Sequence, residues 1–478
     1  MSTATISTIV GLLVAALELY AIVLAITRTH GVERTLAWVF AIIAMPGVGA
    51  LAFLLLASPS VRRTARRKCA ASEQVRCRRE TEQALRASSP TVRRSPLVGS
   101  VLELVGRLTG HPAQAGNAVQ LLAESDEAFE EIEQAIRRAE RFVWAEYYLI
   151  RNDETGGRFL DLLAEKAEQG IDVRLLYDGV GSLNIDTKRL RQIERAGGKV
   201  EVFLPLNPLR RRWAVHLRNH RKLIIVDGEV GFTGGMNVGD EYSGRALRRG
   251  KEHFRDTHLA VRGPAVADLG DTFAEDWAFA TDEELEPLTP AVSSGGDAVV
   301  AIVPSGPDQQ YNANALVYFT SVGVAAERAY LTSPYFIPDG PTIRSLVTAA
   351  MRGVDVRILV PRRPDVALVR AAARWFYPRL VEAGVRIYEY MPTMLHAKTL
   401  VVDGAWVMAG SANVDIRSFR LNFELSAIVI DAALAAEMEA RFLRDLEDAV
   451  EITVDSVAKY GFARRFAYGT ARLLSPLL

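Results

Sequence analysis

Two short stretches of this chain each place a titratable ring and a cation two residues apart. His220-Arg221-Lys222-Leu223-Ile224-Ile225-Val226-Asp227 is followed by Gly234-Gly235-Met236-Asn237, and His396-Ala397-Lys398-Thr399-Leu400-Val401-Val402-Asp403 by Gly410-Ser411-Ala412-Asn413. The subtractions 396−220, 398−222, 403−227, 411−235 and 413−237 all give 176, so the second stretch repeats the first in register. Side chains two apart on a strand face the same side, so each His and its Lys address one spot. Two such sets facing each other supply two imidazoles, two ammonium groups and two Asn amides. That inventory suits a phosphodiester. The lysines offset the anion and the charge that grows in the transition state, one His attacks phosphorus, and the other protonates the leaving oxygen. The scheme needs neither a metal nor another cofactor.

The elements that must position these groups are strands. The runs after each Lys are apolar and β-branched and end in Asp-Gly, a buried strand closed by a tight turn. A second strand, at Val230-Gly231-Phe232-Thr233 or Trp406-Val407-Met408-Ala409, brings the chain back. It delivers Asn237 or Asn413 beside the His and Lys. Asn237, Asn413 and the Ser411 hydroxyl are the expected phosphate donors, and Gly235 takes the place of that hydroxyl in the first copy. Each imidazole also needs an acceptor at its second nitrogen to fix the tautomer. Asp256 and Glu424, downstream of the two motifs, are the candidates, with the pairing left open. Asp227 and Asp403 close the motif strands, where a buried structural role is expected whose loss still abolishes activity. His30, His111, His216, His253 and His258 read as packing or surface residues. The helical metal spacing of His216 and His220 is opposed by the strand pattern and by the lack of a Glu between them.

Both stretches resemble the HKD motif of the phospholipase D superfamily. The flanks Arg255-Asp256-Thr257-His258, Gly263-Pro264-Ala265-Val266, Pro304-Ser305-Gly306-Pro307-Asp308, Thr332 to Asp339 and Asp415 to Glu424 are similar to those of the bacterial cardiolipin synthases. That similarity runs to Leu478. The resemblance implies an α/β fold of two pseudo-symmetric phospholipase D-like domains, each a mixed sheet flanked by helices, sharing one active site at their seam. It implies His220 as nucleophile, His396 as acid and base, and transfer of a phosphatidyl group between two phosphatidylglycerol molecules through a phosphohistidine. The rivals are a phospholipase D that uses water, a synthase using another alcohol such as serine, a nuclease of the same superfamily, and a non-catalytic membrane scaffold.

Composition narrows these. Lys plus Arg equals Asp plus Glu at 57 each, so the body is not the strongly basic one of a nucleic-acid binder. Two cysteines, Cys69 and Cys77, make a disulfide framework or a zinc site a poor reading. Ile9 to Ile26 and Leu36 to Ala57 are apolar segments near the roughly 20 residues that cross a bilayer as a helix, and they read as a transmembrane hairpin. A signal peptide fits less well, because no positive charge precedes Ile9 and a second apolar segment follows at once. Glu18 inside the first segment needs a partner, and Pro46-Gly47-Val48-Gly49 should kink the second. Arg62, Arg63, Arg66, Arg67 and Lys68 then place the rest of the chain on the cytoplasmic side of the cell membrane, as a multi-pass protein; the run can also hold anionic headgroups or act as a solvated linker.

The expected organisation is a hairpin over 1–60, a basic linker over 61–116, and two domains over 117–290 and 291–478. Ser125 is a candidate N-cap for a helix with Phe129, Ile132 and Ile136 on one face. Strands at Phe142 to Ile150, Ile171 to Tyr177 and Lys199 to Leu204 alternate with helices at Phe159 to Ala167 and Leu190 to Ala196, which predicts a largely parallel mixed sheet. Gly170 to Leu176 matches Gly353 to Leu359, so the order recurs in the second half. Phe462 to Leu478 mixes Arg with Phe, Tyr and Leu and reads either as an interfacial segment or as packing against the body.

Overall fold

The computed structural model describes residues 3–28, 32–56, 66–73, 96–205, 216–244, 253–290 and 295–474. The basic residues Arg62 and Arg63, Cys77, His30 and the linker stretches 61–65 and 74–95 fall outside them. The chain divides into two compact units, Met1–Arg66 and Arg67–Leu478.

In the first unit, α1 (Thr3–Arg28) packs on α2 (Val32–Ala44) and α3 (Val48–Leu56). Among the described residues, one helix, α1 over Thr8–Thr27, is long and apolar enough to cross a membrane. The expected second spanning helix is instead broken into two short pieces. Pro46 supplies no N–H, Gly47 adopts φ 74°, and the helix stops at Ala44. The break exposes the Gly47 N–H, which donates to Glu18 Oε1 at 2.8 Å. The acid in the first helix thus has its partner.

The second unit is built on one continuous sheet. Its strands are β1 (Gln114–Leu122), β2 (Phe142–Tyr147), β3 (Asp172–Tyr177), β4 (Lys199–Val202), β5 (Arg218–Asn219), β6 (Lys222–Val226), β7 (Val230–Gly234), β8 (His258–Arg262), β9 (Ala298–Ser305), β10 (Arg328–Thr332), β11 (Phe336–Ile337), β12 (Asp355–Pro361), β13 (Arg386–Tyr390), β14 (Thr399–Val402), β15 (Trp406–Gly410), β16 (Val414–Asp415), β17 (Asn422–Ile430) and β18 (Ala449–Ile452). The sheet order is β18-β13-β12-β10-β14-β15-β17-β9-β1-β8-β7-β6-β2-β3-β4, with β5 added beside β17, and β11 pairs separately with β16. Outward from the antiparallel β1/β9 pair, each side has a run of antiparallel strands and then parallel ones, and on the β9 side an antiparallel edge strand, β18, closes the sheet. Antiparallel neighbours outnumber parallel ones, which corrects the expectation of a largely parallel sheet. The cause is local: the motif strand and its return form a hairpin, and hairpins are antiparallel.

Two further expectations are revised. The first helix of this region runs Ser125–Arg138, with Glu124 rather than Ser125 at the cap position and no side-chain cap bond. The stretch assigned to a linker contains a helix, Pro96–Thr109, whose Val101, Leu102 and Val105 are buried with Ala301, Val303 and Val317. Its apolar positions recur at helical spacing, and that face is covered by the core of the second half. Two clusters of buried apolar side chains lie on the two sides of the β1/β9 seam in sequence, one built mainly from residues 122–260 and one mainly from 301–457.

Candidate active site

The motif strands carry the His and Lys as period-2 geometry requires. β6 and β14 are buried throughout, and each ends in an Asp at positive φ, 54° for Asp227 and 52° for Asp403. A carboxylate there can turn back onto a neighbouring strand start. Asp227 accepts from the backbone N–H groups of Glu140, Arg141 and Phe142 at 2.8 Å each. Asp403 accepts from Ala326, Glu327 and Arg328 at 2.9, 2.8 and 2.9 Å. Both acids therefore sit at the far end of the strand from the histidines, pinning β2 and β10.

At the other end the two halves of the chain exchange partners. The His220 N–H donates to Phe423 O at 2.8 Å, and β5 pairs in parallel with β17 in the register Asn422↔Arg218 and Phe423↔Asn219. Reciprocally, the His396 N–H donates to Arg255 O at 2.7 Å and Arg255 N–H to Met394 O at 2.9 Å. In each case the next residue along the borrowed segment is a carboxylate. His220 Nδ1 lies 2.9 Å from Glu424 Oε2, and His396 Nδ1 lies 2.6 Å from Asp256 Oδ2. The acid from each half thus orients the imidazole of the other. A carboxylate at Nδ1 holds the proton there and leaves Nε2 as the nitrogen available for chemistry.

The rings and both amides line one cavity of about 470 Å³ that also takes in Tyr148, Arg218, Tyr242, Tyr335 and Arg417. Tyr148 packs on His220 at 4.9 Å between ring centroids, and Tyr242 meets His396 edge-on at 5.3 Å. Lys222 Nζ donates to His220 O at 2.6 Å, while Lys398 Nζ reaches His396 O and stands 2.7 Å from its Nδ1. The Asn237 amide donates to Tyr242 Oη at 2.9 Å, and the buried Oδ1 atoms of Asn237 and Asn413 have no hydrogen-bond partner among the described residues. The Ser411 hydroxyl is fully buried and donates to Glu424 Oε2 at 2.5 Å, so it acts on the carboxylate that holds His220. At the matching place a Cβ on Gly235 would lie 2.1 Å from Asp256 Oδ1. Only glycine leaves room for that acid.

Burial sets the protonation of the empty site. It drives His220 down to about 4, against the pull of Glu424 and with help from Lys222. His396 is lowered by burial and then by Lys398. Burial also lowers Lys222 to about 7 and Lys398 to about 8. Desolvation raises Glu424 and Asp256, but the facing cations outweigh it and leave both carboxyls below their ordinary range. At neutral pH both rings are neutral and both acids charged.

The family model described as cardiolipin synthase, phospholipase D-like domain, matches residues 132–277 and 320–446. The cardiolipin synthase of Halalkalibacterium halodurans is 40% identical over 382 residues, covering 79% of this chain and 76% of its own. Cardiolipin synthase A of Pseudomonas aeruginosa is 35% identical over 486 residues, 99% of this chain and 97% of its own. The chain belongs to the phospholipase D-like cardiolipin synthase family. Among solved structures, phosphatidylserine synthase of Haemophilus influenzae shares the fold, with a TM-score of 0.59 and 16% identity over 79% of this chain and 100% of its own.

Beneath the site this member of the cardiolipin synthase family carries a buried ion network that sequence reading missed. Arg221 points away from the cavity, the alternate side of its strand, and pairs with Asp276 while its Nε donates to Glu424 O at 3.2 Å. Asp276 also meets Lys68 at 3.0 Å, and Lys68 reaches Glu275 at 3.3 Å. Lys68 is therefore a buried structural cation and not a headgroup ligand or linker residue, because two carboxylates of the helix Ala265–Thr281 neutralise it. Two arginines of the cavity wall were also missed. Arg218 precedes His220 by one strand repeat, a signal that was present, and Arg417 sits in the quoted Asp415-Ile416-Arg417 flank without a role. His216 is not grouped with His220 in any metal-type cluster among the described residues. The one such group is His111, Asp268 and Asp271, whose candidate ligand atoms lie within 4.8 Å of one another and which also engage other groups.

Proposed function

We propose that this chain is a cardiolipin synthase acting on two phosphatidylglycerol molecules by double displacement. The negative charge of the bound phosphate raises the His396 ring, which takes up a proton at Nε2. The Nε2 of His220 then attacks phosphorus of the first lipid; the bond from phosphorus to the glycerol oxygen breaks, and that oxygen takes the proton from His396 Nε2. The terminal hydroxyl of the second lipid then gives its proton to His396 and attacks phosphorus. The phosphorus–nitrogen bond breaks and cardiolipin leaves, with one glycerol released per cycle. The observation that carries this reading is the pair of carboxylate-oriented imidazoles, each wired across the seam, around one cavity with two depressed lysines. Lys222 and Lys398 regain full charge beside the bound phosphate. A half-turn of the Asn237 amide lets Tyr242 donate to Oδ1 and frees both amide N–H groups for a phosphate oxygen.

The two regions 117–290 and 291–478 are read as pseudo-symmetric phospholipase D-like domains, a reading supported by the matching strand order on the two sides of β1/β9. The N-terminal helices are read as a membrane anchor, with α2 and α3 as a broken second leg and the catalytic unit on the cytoplasmic side. Phospholipid is the expected partner, and nucleic acid is not.

Labelled phosphatidylglycerol tests the reading. Wild type should release glycerol with cardiolipin, and an acid-labile phosphoenzyme should be trapped in His396→Ala but not in His220→Ala. Phosphatidate in place of cardiolipin would make water the acceptor and the chain a phospholipase D.

A further inference from the structure

The C-terminal helix Phe462–Leu473 presents an uncovered apolar face next to the cavity mouth. Its other face is seated on the helix Ala367–Arg374: Ala471 is buried with Ile337, Val369 and Ala372, and the Arg472 guanidinium lies 5.0 Å over the Trp375 ring. Gly469 permits this approach, since a Cβ there would come within 2.9 Å of the same ring. Phe462, Phe466 and Leu473 stand clear of these contacts, exposed at 85%, 67% and 71%. At about 100° per residue they fall within about 40° of one another on the helix. The two Phe rings stack on each other, at 6.2 Å. Arg464 and Arg465 are exposed and lie off this apolar stripe.

The seat of this helix leads to the catalytic cavity. The residues just before helix Ala367–Arg374, Asp365 and Val366, line the cavity, and Val366 and Leu368 are themselves partly exposed. The Tyr335 hydroxyl donates to Asp365 Oδ1 at 2.7 Å and holds that rim. An aromatic stripe bordered on one side by the exposed Arg465, about 60° from Phe462, matches a headgroup layer better than it matches a protein groove, because a phosphate meets the guanidinium group while the rings enter the acyl boundary.

We propose that the helix Phe462–Leu473 is a membrane-contacting foot, lying in the headgroup layer of an anionic bilayer with Phe462, Phe466 and Leu473 inserted. It sets the Asp365–Val366 rim of the cavity at the lipid surface. The placement of the mouth rests on the phosphatidyl-transfer reading; the insertion of the helix does not.

The test uses full-length protein in phosphatidylglycerol-containing nanodiscs, with Cys69→Ser and Cys77→Ser and an environment-sensitive fluorophore on Phe466→Cys. The emission should shift to the blue and be quenched by lipids brominated near the headgroup, while the same label on Glu168→Cys, on an exposed helix position, should do neither. An unquenched label at 466, or a blue shift that depends on protein concentration and so reports a second copy, overturns the proposal. A second measurement uses Phe462→Asp with Phe466→Asp. Turnover on vesicles should fall about tenfold, with turnover on dispersed short-chain phosphatidylglycerol unchanged. Equal loss on both substrates, or on neither, overturns it. A labelled variant that quenches as expected, beside an unlabelled wild type that forms no cardiolipin, refutes the transfer reading and leaves the foot standing.

Discussion

Anion binding to this site should draw protons from solution. In the empty cavity burial holds Lys222 near 7, Lys398 near 8 and His220 near 4. A unit negative charge about 4 Å away, at an effective dielectric of about 20, favours each cationic form by about 4 kcal/mol, or about 3 pKa units. Lys222 then moves from half-charged to fully charged at pH 7, an uptake of about 0.5 proton, and His220 rises into half-protonation for about 0.5 more. At pH 8 the lysines dominate: Lys222 gains about 0.9 and Lys398 about 0.5 proton. The sign follows from linkage. Because the complex holds more protons than the free protein, affinity falls as pH rises, by roughly tenfold or more from pH 7 to pH 8.

Sulfate is a suitable probe because it has no proton to exchange in this range. Titration calorimetry in buffers of different ionisation enthalpy should give a line whose slope is about one proton at pH 7 and about 1.5 at pH 8. Lys222→Met should bind more weakly and lose most of the slope at pH 8. A binding enthalpy independent of buffer at both pH values would refute the reasoning, since it would mean that the lysines are already fully charged in the empty cavity.

Three substitutions probe the wiring. Glu424→Gln keeps the shape around His220 but lets an amide present the wrong group to Nδ1, so turnover should fall about 10³-fold with little change in KM, measured as cardiolipin formed. Gly235→Ser forces its Cβ onto Asp256, 2.1 Å from Oδ1; the acid must leave His396, and the rate should fall by a comparable factor, whereas Ser411→Gly should be milder. Asp227→Asn keeps a side chain that tolerates the left-handed backbone but loses charge-assisted bonds to three N–H groups, costing about 2–3 kcal/mol in urea unfolding. Turnover per folded molecule at low temperature should then stay near wild type, and a large drop there would assign this acid to the chemistry.

What could be read from the sequence was whatever lies within one strand or its return. His, Lys, the β-branched run and the Asp-Gly turn are neighbours in the chain, and strand periodicity places them without further information. The pairing of Glu424 with His220 was not legible because it depends on β5 joining the sheet beside β17, a contact between residues some 200 apart in sequence, and that of Asp256 with His396 because it depends on the bridge between Arg255 and Leu395, some 140 apart. The buried Lys68 was equally hidden. A basic run after an apolar segment carries the same letters whether it meets headgroups or carboxylates, and only the helix Ala265–Thr281 decides which. In the N-terminal unit, Pro46-Gly47 was visible as a kink, but the severity of the break followed from Glu18 accepting the freed Gly47 N–H. An acid and a broken helix, each costly alone, satisfy one another.

The difference between the two motif copies then has a physical source. Glu424 carries one methylene more than Asp256, so its carboxylate reaches His220 from further away and leaves space that the Ser411 hydroxyl fills by donating to it. Asp256 must bring its backbone closer to reach His396, and that approach removes the space a side chain at position 235 would need. The two acids also differ in what steadies them: Glu424 has Ser411 and the Asn422 amide, at 2.5 and 3.1 Å, while Asp256 has the Thr257 N–H at 2.7 Å and stands against Lys398. Double displacement needs unequal histidines, because one must hold phosphorus while the other carries a proton out and back. Exchanging Asp256 for Glu together with Gly235 for Ser would make the two environments alike. If the inequality is what divides the roles, that double variant should trap phosphate on both rings, and a phosphoenzyme still confined to one ring would place the division of labour elsewhere in the cavity.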